Sequence, residues 1–162
     1  MTPAYNDLLP VPPQGLAAVP GAEAPTLPRR PYYAHDSRLL PGAPSSVREA
    51  RAYVRTALTS WCVPVAVVDD LLIITSELAT NAVEHTTSTR IRIVVVVTVT
   101  AAQVAVIDQG PRRPIRPGPT PADESGRGLS IVEALAERWG HRRAGTGSAV
   151  WARAALVPEQ AA

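Results

Sequence analysis

The sequence predicts an α+β fold, a two-layer α/β sandwich in which a mixed, mostly antiparallel sheet carries helices on one face. Three observations predict it. Two helical stretches precede a pair of β-branched strands, a third helix follows a long loop, and two more strands close the chain. The order αα, ββ, loop, α, ββ groups the strands into antiparallel hairpins with helices between them, the pattern of a sheet covered on one side. A length of 162 residues at 46% hydrophobic matches one ordinary domain with a core of its own. No internal repeat is present.

Ten of the 17 prolines fall within residues 1–44, mixed with Gly and Ala. Such a composition cannot keep a regular ladder, so residues 1–33 read as a flexible tail. Ala34–Leu40 fits a first, edge strand that Pro41 ends. Ser46 and Glu49 form an S-x-x-E capping box, and Ala50, Val54, Ala57, Leu58 and Trp61 follow at helical spacing, which predicts a helix over 45–61. Pro64 stands where a first-turn proline belongs. From there Val67, Val68, Leu71, Leu72, Ile74, Leu78, Ala82 and Val83 recur with a period of about 3.6 up to His85, predicting a long, largely buried helix.

Thr86, Thr87 and Ser88 break that pattern. Residues 90–100 and 103–108 then read as two strands around a tight turn at Ala101-Ala102. Residues 109–125 hold five prolines and two glycines with almost no apolar side chains, which makes them a long loop. Helical spacing resumes from Gly128 to Trp139 through Leu129, Val132, Leu135 and Ala136. A short strand near 140–143, a turn at Gly145-Thr146-Gly147 and a strand over 149–157 complete the domain. Its expected extent is 34–158, with 159–162 as a C-terminal tail.

Composition excludes several functions. The net charge is only +2, and the basic residues are scattered rather than gathered into a stripe with interleaved aromatics, so direct nucleic-acid binding is not expected. All 16 basic residues are Arg, which excludes a Walker-type phosphate loop, because that motif needs a Lys beside the β- and γ-phosphates. Cys62 is the only cysteine, so neither a disulfide nor a Cys-rich metal site is available, and a reducing, cytoplasmic compartment fits. The N-terminus lacks a basic n-region and its apolar residues are interrupted by prolines, unlike a signal peptide. The apolar run from Ile91 to Val99 is about half of the ~20 residues that span a bilayer, so no membrane partner is expected.

Four constellations could carry chemistry. Glu77, Asn81 and His85 are spaced i, i+4, i+8 and drift only about 40° per step around the helix axis, so they share one face. The row is either a solvated polar stripe or a ligand-facing one, with Glu77 as a general base and Asn81 offering its carbonyl oxygen to Mg²⁺. Asp108-Gln109-Gly110 ends an apolar strand with a carboxylate and a turn glycine: a strand cap, or an acceptor for an exocyclic amine. Ser125-Gly126-Arg127-Gly128-Leu129 enters a helix after the proline-rich loop, as a hinge or as an anion site built on the helix N-terminus. A dinucleotide fingerprint is set aside, because those glycines follow a strand and here a loop precedes them. Gly145-Thr146-Gly147-Ser148 by itself reads as a hairpin turn. None of the four decides the function alone.

Taken together, in this order, they resemble the GHKL superfamily, the Bergerat ATP-binding fold of histidine kinases, gyrase, Hsp90 and MutL ATPases and bacterial anti-sigma factor kinases. Glu77–His85 resembles the N box, Asp108-Gln109-Gly110 the G1 box, Gly126-Arg127-Gly128-Leu129 the G2 box and Gly145-Thr146-Gly147 the G3 region. The match covers roughly 35–157. Ser-Glu-Leu-x-x-Asn-Ala, Gly-Arg-Gly-Leu and the short length look most like the anti-sigma factor serine/threonine kinases.

The resemblance implies ATP and Mg²⁺ as cofactors, with Glu77 as general base toward the attacking hydroxyl and Asn81 as the metal ligand. Asp108 would accept from the adenine amine and Gly110 would leave room for the base. Gly126, Arg127, Gly128 and Leu129 would meet the phosphates, and Thr146 would support the adenine side. The loop 109–125 would be an ATP lid. Arg112, Arg113 and Arg116 on it read as solvated charge, and as candidates for neutralising the γ-phosphate. His85 reads as a helix cap. Two departures stand out: Arg112 replaces the second G1 glycine, and the lid is unusually rich in proline. The implied partners are an anti-anti-sigma-like protein and a sigma factor, with a homodimer as the common assembly. The competing reading is a non-catalytic, nucleotide-responsive binding module of the same fold.

Overall fold

In a computed structural model of the chain, the structure describes residues 33–110, 122–144 and 147–156, with only the backbone of 33, 122–127 and 144. The elements run β1 (Tyr33–Pro41), α1 (Ser45–Ser60), α2 (Val65–His85), β2 (Arg90–Thr98), β3 (Ala101–Asp108), α3 (Ala122–Leu135), β4 (Arg138–Ala144) and β5 (Gly147–Ala155). The five strands form one sheet in the order β1-β2-β3-β5-β4, and every pairing is antiparallel.

The register explains the layers. Ile93 lies opposite Val106 and Val106 opposite Val150, Val95 opposite Val104 and Val104 opposite Ala152, and Val97 opposite Ala102 and Ala102 opposite Ala154. Cross-strand partners share a sheet face. These side chains join Val54 and Leu58 of α1, Leu71, Leu72, Ile74 and Leu78 of α2, and Val132 of α3 in the main core. The three described helices therefore cover one face. The alternate residues Val94, Ala105, Ile107 and Ala149 make a smaller cluster on the other face, flanked by Val96 and Trp151.

Several boundaries differ from the sequence reading. The Ser46–Glu49 capping box does not form: α1 begins behind Pro44, whose backbone is already helical (φ −55°, ψ −34°), and no side chain caps it. The proline ring presets the helical φ, so the helix starts at Ser45, where the spacing places it, and Ser46 turns inward instead of capping it. Its Oγ is buried without a partner among the described residues. Pro64 is the N-cap of α2 rather than its first residue. The first hairpin turns at Val99-Thr100, not at Ala101-Ala102. Thr98 Oγ1 accepts from the Ala101 N–H at 3.1 Å and donates to the Ala101 carbonyl at 3.2 Å, which closes the turn and leaves both alanines in the buried strand.

The third helix begins at Ala122 and ends at Leu135, so its start precedes the Gly-Arg-Gly segment and Trp139 belongs to β4. Trp139 stands opposite Ala152, on the core face. The tails 1–32 and 157–162 and the part of the expected lid at 111–121 lie outside the described residues. No helix among the described residues is long and apolar enough to cross a membrane.

Candidate functional site

Two polar side chains interrupt the buried surface of α2. Thr75 and Ser76 satisfy their hydroxyls on the carbonyls four residues back, Leu71 at 2.6 Å and Leu72 at 2.9 Å. A carboxylate has no proton to give to such a carbonyl, and Glu77 and, one turn on, Asn81 stand half-buried on the same face of the helix. What they meet is α3. A Cβ added to Gly128 would lie 2.7 Å from Glu77 Oε2, 3.7 Å from Glu77 Cδ and 3.8 Å from Asn81 Nδ2. Gly128 is thus the point where the third helix abuts the acid and the amide, and the absence of a side chain there makes room for both.

At the end of β3, Asp108 is 6% exposed and stands in register between Ile91 and Ser148, on the face the helices cover. Ser148 Oγ donates to Asp108 Oδ2 at 2.6 Å, while Oδ1 is buried with no partner among the described residues. A buried carboxylate oxygen left unsatisfied is costly. Such an oxygen can accept from a further donor, of the kind an exocyclic amine supplies.

Two further contacts tie this strand end to α2. Thr86 Oγ1 donates to the Ala82 carbonyl at 2.6 Å and closes the helix. That capping bond comes from Thr86, whereas His85 is exposed. Ser88 Oγ donates to the Arg90 carbonyl at 2.6 Å and accepts from the Gln109 N–H at 2.8 Å, joining the segment after α2 to the residue after Asp108. Gly110 packs on that same segment, where an added Cβ would come within 2.5 Å of the Ser88 nitrogen. Gly147 backs onto the Asp108 peptide, where an added Cβ would run into its carbonyl oxygen. Short hydrogen bonds thus brace the end of β3 that bears Asp108 against the segment that follows α2.

Of the residues singled out in the sequence, Glu77, Asn81 and Gly128 come together, and Asp108 and Gly110 occupy the adjoining strand end. Leu129 follows Gly128 in α3, half-buried. Gly126 and Arg127 lie within α3 rather than ahead of it, because the helix starts at Ala122. Thr146, Arg112, Arg113 and Arg116 lie outside the described residues. The hydroxyl bonded to Asp108 belongs to Ser148, which sequence reasoning passed over. The signal was there in the alternation of β5: with Gly147 at the turn, Ser148 is the first residue facing the core side.

The family model of the histidine kinase-like ATPase domain matches residues 40–154, from the end of β1 into β5. The chain belongs to that family. The ATPase domain therefore binds ATP. Among solved structures the domain is similar to the RsbU and RsbW domains of Rv1364c from Mycobacterium tuberculosis, with a TM-score of 0.57 and 19% identity over 74% of this chain and 31% of that one. At that identity the likeness speaks for the fold. The ATPase domain spans under a third of the length of the protein it matches there. A comparison with curated proteins returns no match.

Proposed function

We propose that this ATPase domain is a serine/threonine protein kinase of the anti-sigma factor type, which phosphorylates an anti-anti-sigma-like protein and through it controls a sigma factor. The observation that supports the reading most is the meeting of Gly128 with Glu77 and Asn81, which brings an acid and an amide to the base of α3. In this reading Glu77 takes the proton of the attacking hydroxyl, and Asn81 offers its carbonyl oxygen to Mg²⁺. Asp108 receives the adenine amine through Oδ1, with Gly110 beside it and Thr146 completing the adenine side. Gly126, Arg127, Gly128 and Leu129 reach the phosphates.

Among the described residues no group of three His, Cys, Asp or Glu stands together. A single carboxamide suits Mg²⁺ better than it suits a metal held by protein alone, since Mg²⁺ keeps waters and phosphate oxygens in its shell. Bound there, it would neutralise charge on the triphosphate, the main demand of phosphoryl transfer. Because Gly126 and Gly128 sit inside α3, their N–H groups become available to a phosphate when the first turns of that helix open. Glycine weakens a helix by about 1 kcal/mol per residue, so those turns are the ones disposed to open.

The test begins with a thermal shift on adding ATP and Mg²⁺, which a ligand of the native state must raise. Transfer of labelled γ-phosphate to a co-purified partner then compares wild type with Glu77→Ala. Label on a partner serine or threonine with wild type alone is the expected result. Equal labelling by both proteins discards the catalytic assignment. Phosphate release without labelled protein assigns an ATPase lacking a protein acceptor, and a shift with neither transfer nor release assigns the non-catalytic binding module.

A further inference from the structure

Strand pairing gathers arginines that the sequence keeps far apart. Arg92 stands opposite Ile107, Arg142 opposite Ala149, and Arg138 opposite Arg153, which lies two residues beyond Trp151. Ile107, Ala149 and Trp151 belong to the small cluster on the sheet face away from the helices, so these arginines share that face, as does Arg90 two residues before Arg92. Among the described residues of the five strands, none that turns to this face is acidic. Arg138 directly across from Arg153 is a like-charge pair, which costs stability in the unliganded protein. Glu137, just ahead of β4, eases it in part: its Oε2 meets Arg153 Nε at 3.2 Å, without the alignment of a hydrogen bond. Arg90, Arg138 and Arg142 are exposed.

An aromatic platform lies among these charges. Trp151 is the β5 partner of Gly140, and a Cβ added to Gly140 would stand 2.8, 2.9 and 3.0 Å from Trp151 Cζ2, Cε2 and Nε1. Near-equal distances to three successive ring atoms mean that the indole lies flat on the Gly140 backbone rather than edge-on. Arg138 and Arg142 flank Gly140 on the same face, each about 7 Å along the strand. A flat π surface between guanidiniums suits an unpaired nucleobase with its neighbouring phosphates: the base stacks on the ring, and the guanidinium fork matches phosphate oxygens. An acidic peptide would use the arginines and leave the indole idle. A lipid surface would call for protruding apolar side chains, and those at the centre of this face are recessed, Val94, Ala105 and Ala149 being 1% exposed.

We propose that the β4–β5 side of this sheet face binds single-stranded nucleic acid, with a base stacked on Trp151 and phosphates held by Arg138, Arg142 and Arg153. The wide spacing of the arginines along the chain argues against such binding; their convergence on one face, around an aromatic ring, argues for it. A phosphate between Arg138 and Arg153 turns their repulsion into attraction. Glu77, Asn81 and Asp108 belong to the helices and to the opposite sheet face, so a nucleic acid here leaves the ATP site open.

Fluorescence anisotropy of an end-labelled oligothymidylate, titrated with the full chain over a salt series, tests this. Wild type is expected to bind, with an affinity that falls steeply as salt rises. Trp151→Ala is expected to weaken binding at least about fivefold, and Trp151→Phe, which keeps a ring, to retain most of it. Arg138→Ala and Arg142→Ala are each expected to weaken binding at low salt and to lower the slope of log affinity against log salt by about 0.7. Saturating ATP with Mg²⁺ is expected to leave binding unchanged. Thermal unfolding of each variant separates loss of the site from loss of fold. A wild-type chain that binds no oligothymidylate at low salt overturns the proposal. So does binding indifferent to Trp151→Ala, or a salt slope that neither arginine variant lowers. Displacement by ATP would assign the oligonucleotide to the ATP site, and polyglutamate competing as tightly as oligothymidylate would assign an acidic protein to this face; either result also overturns it.

Discussion

Gly128→Ala is a perturbation expected to leave stability almost unchanged while removing activity. The position lies in α3, where Gly costs about 1 kcal/mol relative to Ala, so the substitution strengthens the helix by up to that amount. Against this, the new Cβ would stand 2.7 Å from Glu77 Oε2, whereas Glu77 Cδ and Asn81 Nδ2, at 3.7 and 3.8 Å, are at ordinary contact. Only one atom must yield, and it is the end of a flexible, half-buried side chain rather than backbone. The carboxylate therefore rotates aside at a cost of about 0.5–1.5 kcal/mol, and α3 stays where it is.

The two terms nearly cancel, which sets the expected melting temperature within about 4 °C of wild type. Activity does not share the cancellation. A general base moved by about 1 Å costs on the order of 10²-fold in rate. The assay is a thermal melt beside γ-phosphate turnover, with ATP binding measured in parallel so that loss of the base is separated from loss of the nucleotide. Turnover at the wild-type rate would refute the claim that Glu77 acts from the place where it meets Gly128. A fall in melting temperature beyond about 10 °C would refute the claim that only the carboxylate has to move.

Other substitutions probe the neighbouring parts. Ser148→Ala removes the donor to buried Asp108 Oδ2 and leaves both oxygens unpaired in the free protein, so urea denaturation should show a loss of about 1–3 kcal/mol, whereas Ser148→Thr should keep most of the stability. Gly147→Ala drives a Cβ into the Asp108 carbonyl oxygen, a backbone atom that cannot swing away, and should cost about 1–3 kcal/mol together with a smaller thermal shift on adding ATP. Cys62, between α1 and α2, holds φ at 57° in the region that suits glycine, so Cys62→Gly should raise the denaturation midpoint, corresponding to about 1 kcal/mol. A lower midpoint would mean that the cysteine side chain compensates for its own backbone strain.

The fold was legible in the sequence wherever periodicity and burial say the same thing. Leu71, Leu72, Ile74 and Leu78 mark the inner side of α2 by their spacing, and they are fully or almost fully buried. The run from Ile91 to Val97 reads as strand and is strand, though buried on both faces at Val94 and Val95, where simple alternation would leave one side wet. Boundaries went astray where a local signal competes with the chain's route. The Ser46 capping box was overridden because Pro44 already holds the helical backbone ahead of it. The alanine pair looked like a turn only because small residues fit both a turn and a crowded sheet centre. The helical start at Ala122 was hidden by the glycines at 126 and 128, which lower helix propensity although helix is what forms.

The site was legible in kind but not in assembly, and the reason is physical. Residues that share one helix face, such as Glu77 and Asn81, are tied by a fixed geometry of about 3.6 residues per turn, so their alliance can be read from spacing alone. Contacts between elements carry no such periodic mark. Nothing in the linear order says that Gly128 will stand against Glu77, or that Ser148 will donate to Asp108, since both depend on how α3 and β5 pack against α2 and β3. What the sequence does hold is the permission for those contacts: a glycine where two helices must touch beside a carboxylate, and a small hydroxyl in register with a buried acid. A larger residue at 128 or an apolar one at 148 would have kept the fold's pattern intact and removed those contacts. The functional information in this chain therefore lies less in its charged residues than in the small ones that let those charges meet.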